Sequence, residues 1–176
     1  MSIFKAYDVR GLYPKQLNKE LAYNIGRAFV TFLGCKNVVI GKDMRDSSDE
    51  LEEYLIEGIL DQGADVIAIG LCTTPMLYYA VAKFDYNAGI MITASHNPEG
   101  YNGFKFVKKK AIPISGETGL KEIEKITKEE NFKEFKSKGT LEQRTDILND
   151  YILNGLRFKE VEEFKKFKIV VDYGNG

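Results

Sequence analysis

Three short apolar runs constrain this chain more than any other feature. Asn37 to Gly41 reads Asn-Val-Val-Ile-Gly, Ala64 to Gly70 reads Ala-Asp-Val-Ile-Ala-Ile-Gly, and Ala88 to Ile92 reads Ala-Gly-Ile-Met-Ile. Runs this continuous suit strands covered on both faces. Helical patterns separate them. After the first run, Ser47 with Glu50 fits a capping box, and Leu51, Tyr54, Leu55, Ile59 and Leu60 continue as a stripe to Gln62-Gly63. After the second, Thr73-Thr74-Pro75 sets a cap before a proline at the first helical position, and the helix reaches about Lys83. Strand and helix in this alternation predict an α/β domain of three layers. Its sheet is mostly parallel or mixed, with helices on both faces. The mixed form holds if Phe104 to Val107 turns back antiparallel.

The flanks fit the same plan. Ile3 to Tyr7 reads as a short strand. From Asn18, a fair N-cap, Leu21, Ile25, Ala28, Phe29 and Phe32 make one apolar stripe that Gly34 stops. Gly26 inside that helix marks close approach to a neighbour. Lys108-Lys109-Lys110 reads as a solvated strand end, and Pro113 to Gly116 as a turn. Further helices are expected from Thr118 to about Lys128 and from Asp146 to about Phe158, with a charged, irregular linker at 129–140 between them. Phe167 to Asp172 reads as a last strand, followed by a turn at Tyr173-Gly174-Asn175-Gly176. A chain that stops at a strand end and turn is expected to be a fragment of something longer.

A hydrophobic content of 44%, 29% charged residues and a formal net charge of −1 describe a globular protein with no electrostatic case for nucleic acid or membrane partners. No apolar run is long enough to span a bilayer. Cys35 and Cys72 lie far apart with no C-x-x-C, so they read as small buried hydrophobes rather than a zinc or disulfide framework. A cytoplasmic location is the expectation.

Between the third apolar run and Phe104 lies Thr93-Ala94-Ser95-His96-Asn97-Pro98-Glu99-Gly100-Tyr101-Asn102-Gly103. A loop so rich in turn residues, pinned at both ends by buried runs, is where chemistry often sits. Serine needs activation to act as a nucleophile. The one histidine, His96, is its immediate neighbour, and sequence neighbours project in different directions, so no Ser95–His96 hydrogen bond is expected. The string is not G-x-S-x-G, which argues against a serine hydrolase. Two readings remain: a structural turn, or a hydroxyl that carries a phosphoryl group. In the second, backbone N–H groups cradle the phosphate and Lys105 neutralises it. Arg10 is either an ion-pair partner of Asp8 or a bidentate phosphate ligand. Ser47 and Ser48 either cap a helix or sit at its anion-binding end.

The string Thr93-Ala94-Ser95-His96-Asn97-Pro98, followed by Asn102-Gly103-Phe104-Lys105, resembles the active-site serine loop of the α-D-phosphohexomutases. Their phosphomannomutase/phosphoglucomutase branch matches best. Phe4-Lys5-Ala6-Tyr7-Asp8-Val9-Arg10-Gly11 and Gly41-Lys42-Asp43-Met44-Arg45-Asp46-Ser47-Ser48 resemble two further signatures of that branch, in the same order. The resemblance implies that Ser95 carries phosphate and that the product is an interconverted hexose 1-phosphate and 6-phosphate of mannose or glucose. It implies catalytic roles for Ser95, Lys105 and Arg10, with substrate contacts from His96 and Asn97. Arg45 joins the substrate-binding group and supports the serine loop. It also implies Mg²⁺, with the phosphoserine supplying one metal oxygen and a later domain the remainder. Residues 1–150 would form the first domain with the phosphoserine loop. Residues 151–176 would form a connecting helix and the start of a second domain. The partners implied are a phosphorylated hexose and the missing C-terminal domains, without which the chain is expected to be inactive or nearly so. The competing reading is a non-catalytic phosphosugar-binding module. Within the enzymes, phosphoglucosamine mutase is the rival.

Overall fold

The computed structural model describes residues 2–135, 137–160, 163 and 165–172. In chain order the elements are β1 (Val9–Leu12), α1 (Lys19–Leu33), β2 (Asn37–Lys42), α2 (Ser48–Asp61), β3 (Asp65–Leu71), α3 (Thr74–Lys83), β4 (Ala88–Ile92) and β5 (Tyr101–Lys108). A short 3₁₀ turn (Lys109–Ala111), β6 (Ile112–Pro113), an irregular turn (Gly116–Leu120), α4 (Lys121–Glu129), β7 (Leu141–Gln143) and α5 (Ile147–Leu156) follow. The sheet runs β1-β5-β4-β2-β3-β7, with β6 paired to β5. β4, β2, β3 and β7 are mutually parallel, while β5 is antiparallel to both β4 and β1. The sheet is therefore mixed. Residues 93–100 are too few for the crossover that a parallel return would need.

Alternate residues of β2, β3, β4 and β5 feed two cores. Ile40, Ile90, Ile92, Phe104 and Phe106 pack with Phe29 of α1, Leu55 of α2 and Ile123 of α4. Val39, Ile67, Met91 and Val107 pack with Leu77 and Val81 of α3 and with Ile147 of α5. Three layers result. The caps of α1 are those expected: Asn18 accepts a hydrogen bond from the Leu21 N–H at 3.0 Å, and Gly34 closes the helix in the left-handed conformation. Thr73 caps α3 through the Met76 N–H.

Gly26 does mark a close approach, and so does Gly58 on the facing helix. A Cβ on Gly58 would lie 2.1 Å from the Tyr23 carbonyl oxygen, and one on Gly26 would lie 2.5 Å from that of Leu55. Alanine inside a helix normally gains about 1 kcal/mol over glycine. Here the obstacle is backbone, which cannot swing aside, and overpacking costs about 1–3 kcal/mol. Gly58→Ala should therefore destabilise. The check is urea unfolding, where an unchanged or higher midpoint would refute this account of the α1–α2 contact.

The structure corrects several expectations. The first strand is Val9–Leu12 rather than Ile3–Tyr7, and Phe4 makes only an isolated bridge to Val9. Phe167 to Asp172 is no strand; Phe167, Ile169, Val170 and Val171 are all exposed. A strand needs a partner on at least one edge, and none of the sheet's strands pairs with this segment. The predicted turn at 173–176 lies outside the described residues. β7 was not foreseen. α5 forms as expected, but of its apolar positions Leu148, Ile152 and Leu156 face outward, and only Ile147 is buried.

Candidate functional site

The carboxyl ends of β2 and β4 point to one end of the sheet, as do the end of β1 and the start of β5. Ligands of open α/β sheets bind at such an end. Here a cavity of about 730 Å³ is lined by Ser95, His96, Asn97, Arg45, Ser47 and Tyr13, together with Asp43, Asp46 and Glu99. Ser95 is exposed at its rim and has φ +55, a left-handed conformation that costs a non-glycine residue about 1–2 kcal/mol. Strain of this kind collects at functional sites.

That backbone twist overturns one expectation. Ser95 Oγ and His96 Nδ1 stand 3.3 Å apart, so the two neighbours do face each other. In extended backbone they would project to opposite sides; φ +55 brings them to one side. The loop's own N–H groups are also more occupied than expected. The Ser95 N–H donates to Thr93 Oγ1 at 2.8 Å, that of Asn97 to the Ala94 carbonyl, and that of Tyr101 to the Pro98 carbonyl.

Arg45 holds the loop. Its guanidinium donates to the carbonyls of Ser95 (3.0 Å), Asn97 (2.7 Å), Pro98 (3.1 Å) and Tyr101 (3.0 Å). Its Nε lies 3.5 Å from Asp43 Oδ2. Behind it runs a polar chain that tethers three elements. Asn102, fully buried, donates to Ser47 Oγ at 2.9 Å and Ser48 Oγ at 3.1 Å. Ser48 Oγ donates to Asp43 Oδ1 at 2.9 Å, and Asp43 Oδ1 accepts the Arg45 N–H. Satisfied buried networks of this kind fix one geometry. Ser47 makes no side-chain cap for α2, so the expected capping box is absent. Its intended partner, Glu50, instead accepts the Tyr13 hydroxyl. That hydrogen bond, with burial second, lifts the Tyr13 phenol above its ordinary value and keeps it protonated.

Arg10 and Lys105 lie apart from this cavity's lining. Phe104 points into the α1–α2 core, so Lys105 and Gly103 take the opposite face of β5. Arg10 pairs with Gly103 across β1 and β5. The Gly103 carbonyl in turn accepts the Thr93 N–H at the base of the serine loop. A Cβ on Gly103 would lie 2.1 Å from the Val9 carbonyl oxygen, so glycine is required where these strands meet. Asp8 binds both cations, Arg10 Nη2 at 2.6 Å and Lys105 Nζ at 3.4 Å.

Sequence reasoning missed Asp43, Ser48 and Asn102 as supports of the loop. Asn102 was singled out only as part of a string. The signal that could have found it is an amide side chain immediately before a buried run, where it needs partners of its own. Among the described residues, no group of three or more His, Cys, Asp or Glu is placed to hold a metal ion. Burial pushes the Cys35 and Cys72 thiols up to about 12, and both are free. No described helix is long and apolar enough to cross a membrane.

Comparison with known proteins gives the family of the chain. Residues 1–134 match the family model described as phosphoglucomutase/phosphomannomutase, alpha/beta/alpha domain I. A phosphomannomutase of Escherichia coli is 40% identical across the whole chain, which spans 39% of that relative's length. A phosphomannomutase of Klebsiella pneumoniae is 42% identical over 86% of the chain and 98% of its own length. Among solved structures, a phosphoglucomutase/phosphomannomutase family protein from Burkholderia thailandensis superposes with a TM-score of 0.81 at 31% identity. That match covers 92% of this chain and 36% of the other.

Proposed function

This chain belongs to the phosphoglucomutase/phosphomannomutase family, and from that premise we propose that it is the part of a hexose-phosphate mutase that carries the phosphoryl group, on Ser95. The observation that supports this most is Ser95 itself. It is an exposed hydroxyl on strained backbone at the carboxyl end of a central strand, with its loop gripped by Arg45. A serine that served only as a bend would not need that grip. The serine hydrolase reading gains one contact, Ser95 to His96, but no described carboxylate holds the His96 ring as a triad requires.

In the proposed reaction the bond between phosphorus and Ser95 Oγ breaks and a bond from phosphorus to a sugar hydroxyl forms. The sugar hydroxyl loses its proton and Oγ gains one. The bisphosphorylated sugar then turns over, and its other phosphate returns to Ser95. Phosphoryl transfer needs positioning and positive charge more than covalent partners. Arg10 and Lys105 supply charge. Lys105 neutralises first and moves a proton second; His96 and Asn97 contact the sugar phosphate. Mg²⁺, when bound, offsets charge on the transferring group. The described residues do not by themselves make its site. The Ser95 phosphate would give one oxygen, and the other ligands would come from beyond this chain.

We assign residues 1–150 to the first domain and 151–176 to the passage toward a second, and we place the protein in the cytoplasm. The cavity carries Asp43, Asp46 and Glu99 beside one arginine, so a sugar bisphosphate needs cations beyond that lining. Arg10 and Lys105 serve the phosphoryl group on Ser95, the other phosphate has to be met by the rest of the longer protein, and the chain alone should turn over little. Mannose 1-phosphate incubated with Mg²⁺ and a hexose bisphosphate should be converted by the full-length protein and not by residues 1–176. A full-length protein that leaves it unconverted sinks the proposal and favours a phosphosugar-binding module.

A further inference from the structure

Asp8 has no part in the reading above, yet it is among the most buried charged groups of the chain, at 8% exposed. One of its oxygens, Oδ2, serves both Arg10, two residues on in β1, and Lys105 on β5. The two strands are already joined by backbone pairing from Val9 to Leu12, so the sheet does not depend on this contact. The cluster is also unbalanced. One carboxylate faces two cations, and Arg10 stands opposite Gly103, whose carbonyl accepts the Thr93 N–H at the base of the serine loop. Without the carboxylate, two like charges would stand side by side and move apart.

We propose that Asp8 is a positioning residue: it draws the Arg10 guanidinium and the Lys105 ammonium together and leaves one positive charge free for the phosphoryl group of Ser95. The proposal rests on the mutase reading for its catalytic consequence, but not for its geometry. Asp8 itself touches no reacting atom. It acts by fixing where two long, flexible side chains end, and misplacement of such groups by about 1 Å costs on the order of 100-fold in rate.

Two measurements test this. In the 176-residue chain, Asp8→Asn keeps the side chain's shape, and Asp8→Ala removes it. Amine labelling read by mass spectrometry should rise several-fold at Lys105 in both variants, and phenylglyoxal labelling should rise at Arg10. Labelling at Lys83, away from the cluster, should stay level. In the full-length protein, kcat for Asp8→Asn should fall by about 100-fold with KM little changed. Asp8→Asn combined with Lys105→Met should be no slower than Lys105→Met alone, because both remove the same placement. Unchanged labelling, an unchanged kcat, or losses that multiply in the double variant would each overturn the role of Asp8. A wild-type protein without turnover would strike the mutase reading instead, and the labelling would still decide whether Asp8 holds the two cations.

Discussion

Replacing Ser95 with alanine should end phosphoryl transfer in the full-length protein and leave the fold standing. The transfer loses its acceptor atom, and removal of a nucleophile costs on the order of 10⁴-fold or more. The fold loses almost nothing. Ser95 is exposed, among the described residues its hydroxyl bonds only to His96 at 3.3 Å, and alanine bears the same left-handed backbone at much the same cost. A surface change of this kind lies within about 0.5 kcal/mol. The loop stays anchored too, because Arg45 binds the Ser95 carbonyl rather than its side chain. Intact mass gives a second readout. The wild-type protein, mixed with a hexose bisphosphate, should gain one phosphoryl group, and the variant none. A variant that still converts hexose phosphate, or still carries phosphate, would place the relay on another residue. A variant that unfolds would show that Ser95 is structural.

Much of the scaffold around that serine was legible because it depends on local chemistry. Asn18 and Gly34 bound α1 through bonds that close within a turn, and Thr73-Thr74-Pro75 opens α3 for the same reason. The buried runs of β2, β3 and β4 are apolar enough to identify themselves. What sequence could not show is where distant groups compete. Ser47 and Glu50 have capping-box spacing, but Asn102 comes from β5 to bind Ser47, and Tyr13 comes from beyond β1 to bind Glu50. β7 is three exposed residues, Leu141–Gln143, whose strand character comes from the open edge of β3. Phe167 to Asp172 fails for the converse reason: its composition is that of a strand, but no strand of the sheet pairs with it. The candidate site divides along the same line. Ser95 was visible from the loop's composition. The left-handed turn that aims it toward His96, the four carbonyls held by Arg45 and the sharing of Asp8 were not, since each depends on how separate strands meet.

Arg45 carries the other large expectation, and the form of its loss should tell what it does. Arg45→Lys keeps the charge and discards the fork. A planar guanidinium reaches four carbonyls along the loop, while an ammonium is a point with three donors. The stability cost stays modest. A hydrogen bond is worth about 1 kcal/mol net, and the partly exposed carbonyls regain water, so about 1–2 kcal/mol is expected in place of the sum of four. The loss of rate should be larger. Freed from Arg45, the stretch around Ser95 keeps its internal bonds and its tethers at either end, the Thr93 N–H on Gly103 and the Tyr13 N–H on the Gly100 carbonyl; between them it can shift, and about 1 Å costs on the order of 100-fold. The kinetic parameters separate the two roles open to this arginine. If it grips the loop, kcat falls, KM holds, and limited proteolysis opens the chain between 95 and 101. If it binds the substrate's phosphate, KM rises while kcat persists. The guanidinium's bonds are turned inward to the loop, so the first outcome is expected; a pure KM effect with a protease-resistant loop would reverse that assignment and return Arg45 to the substrate.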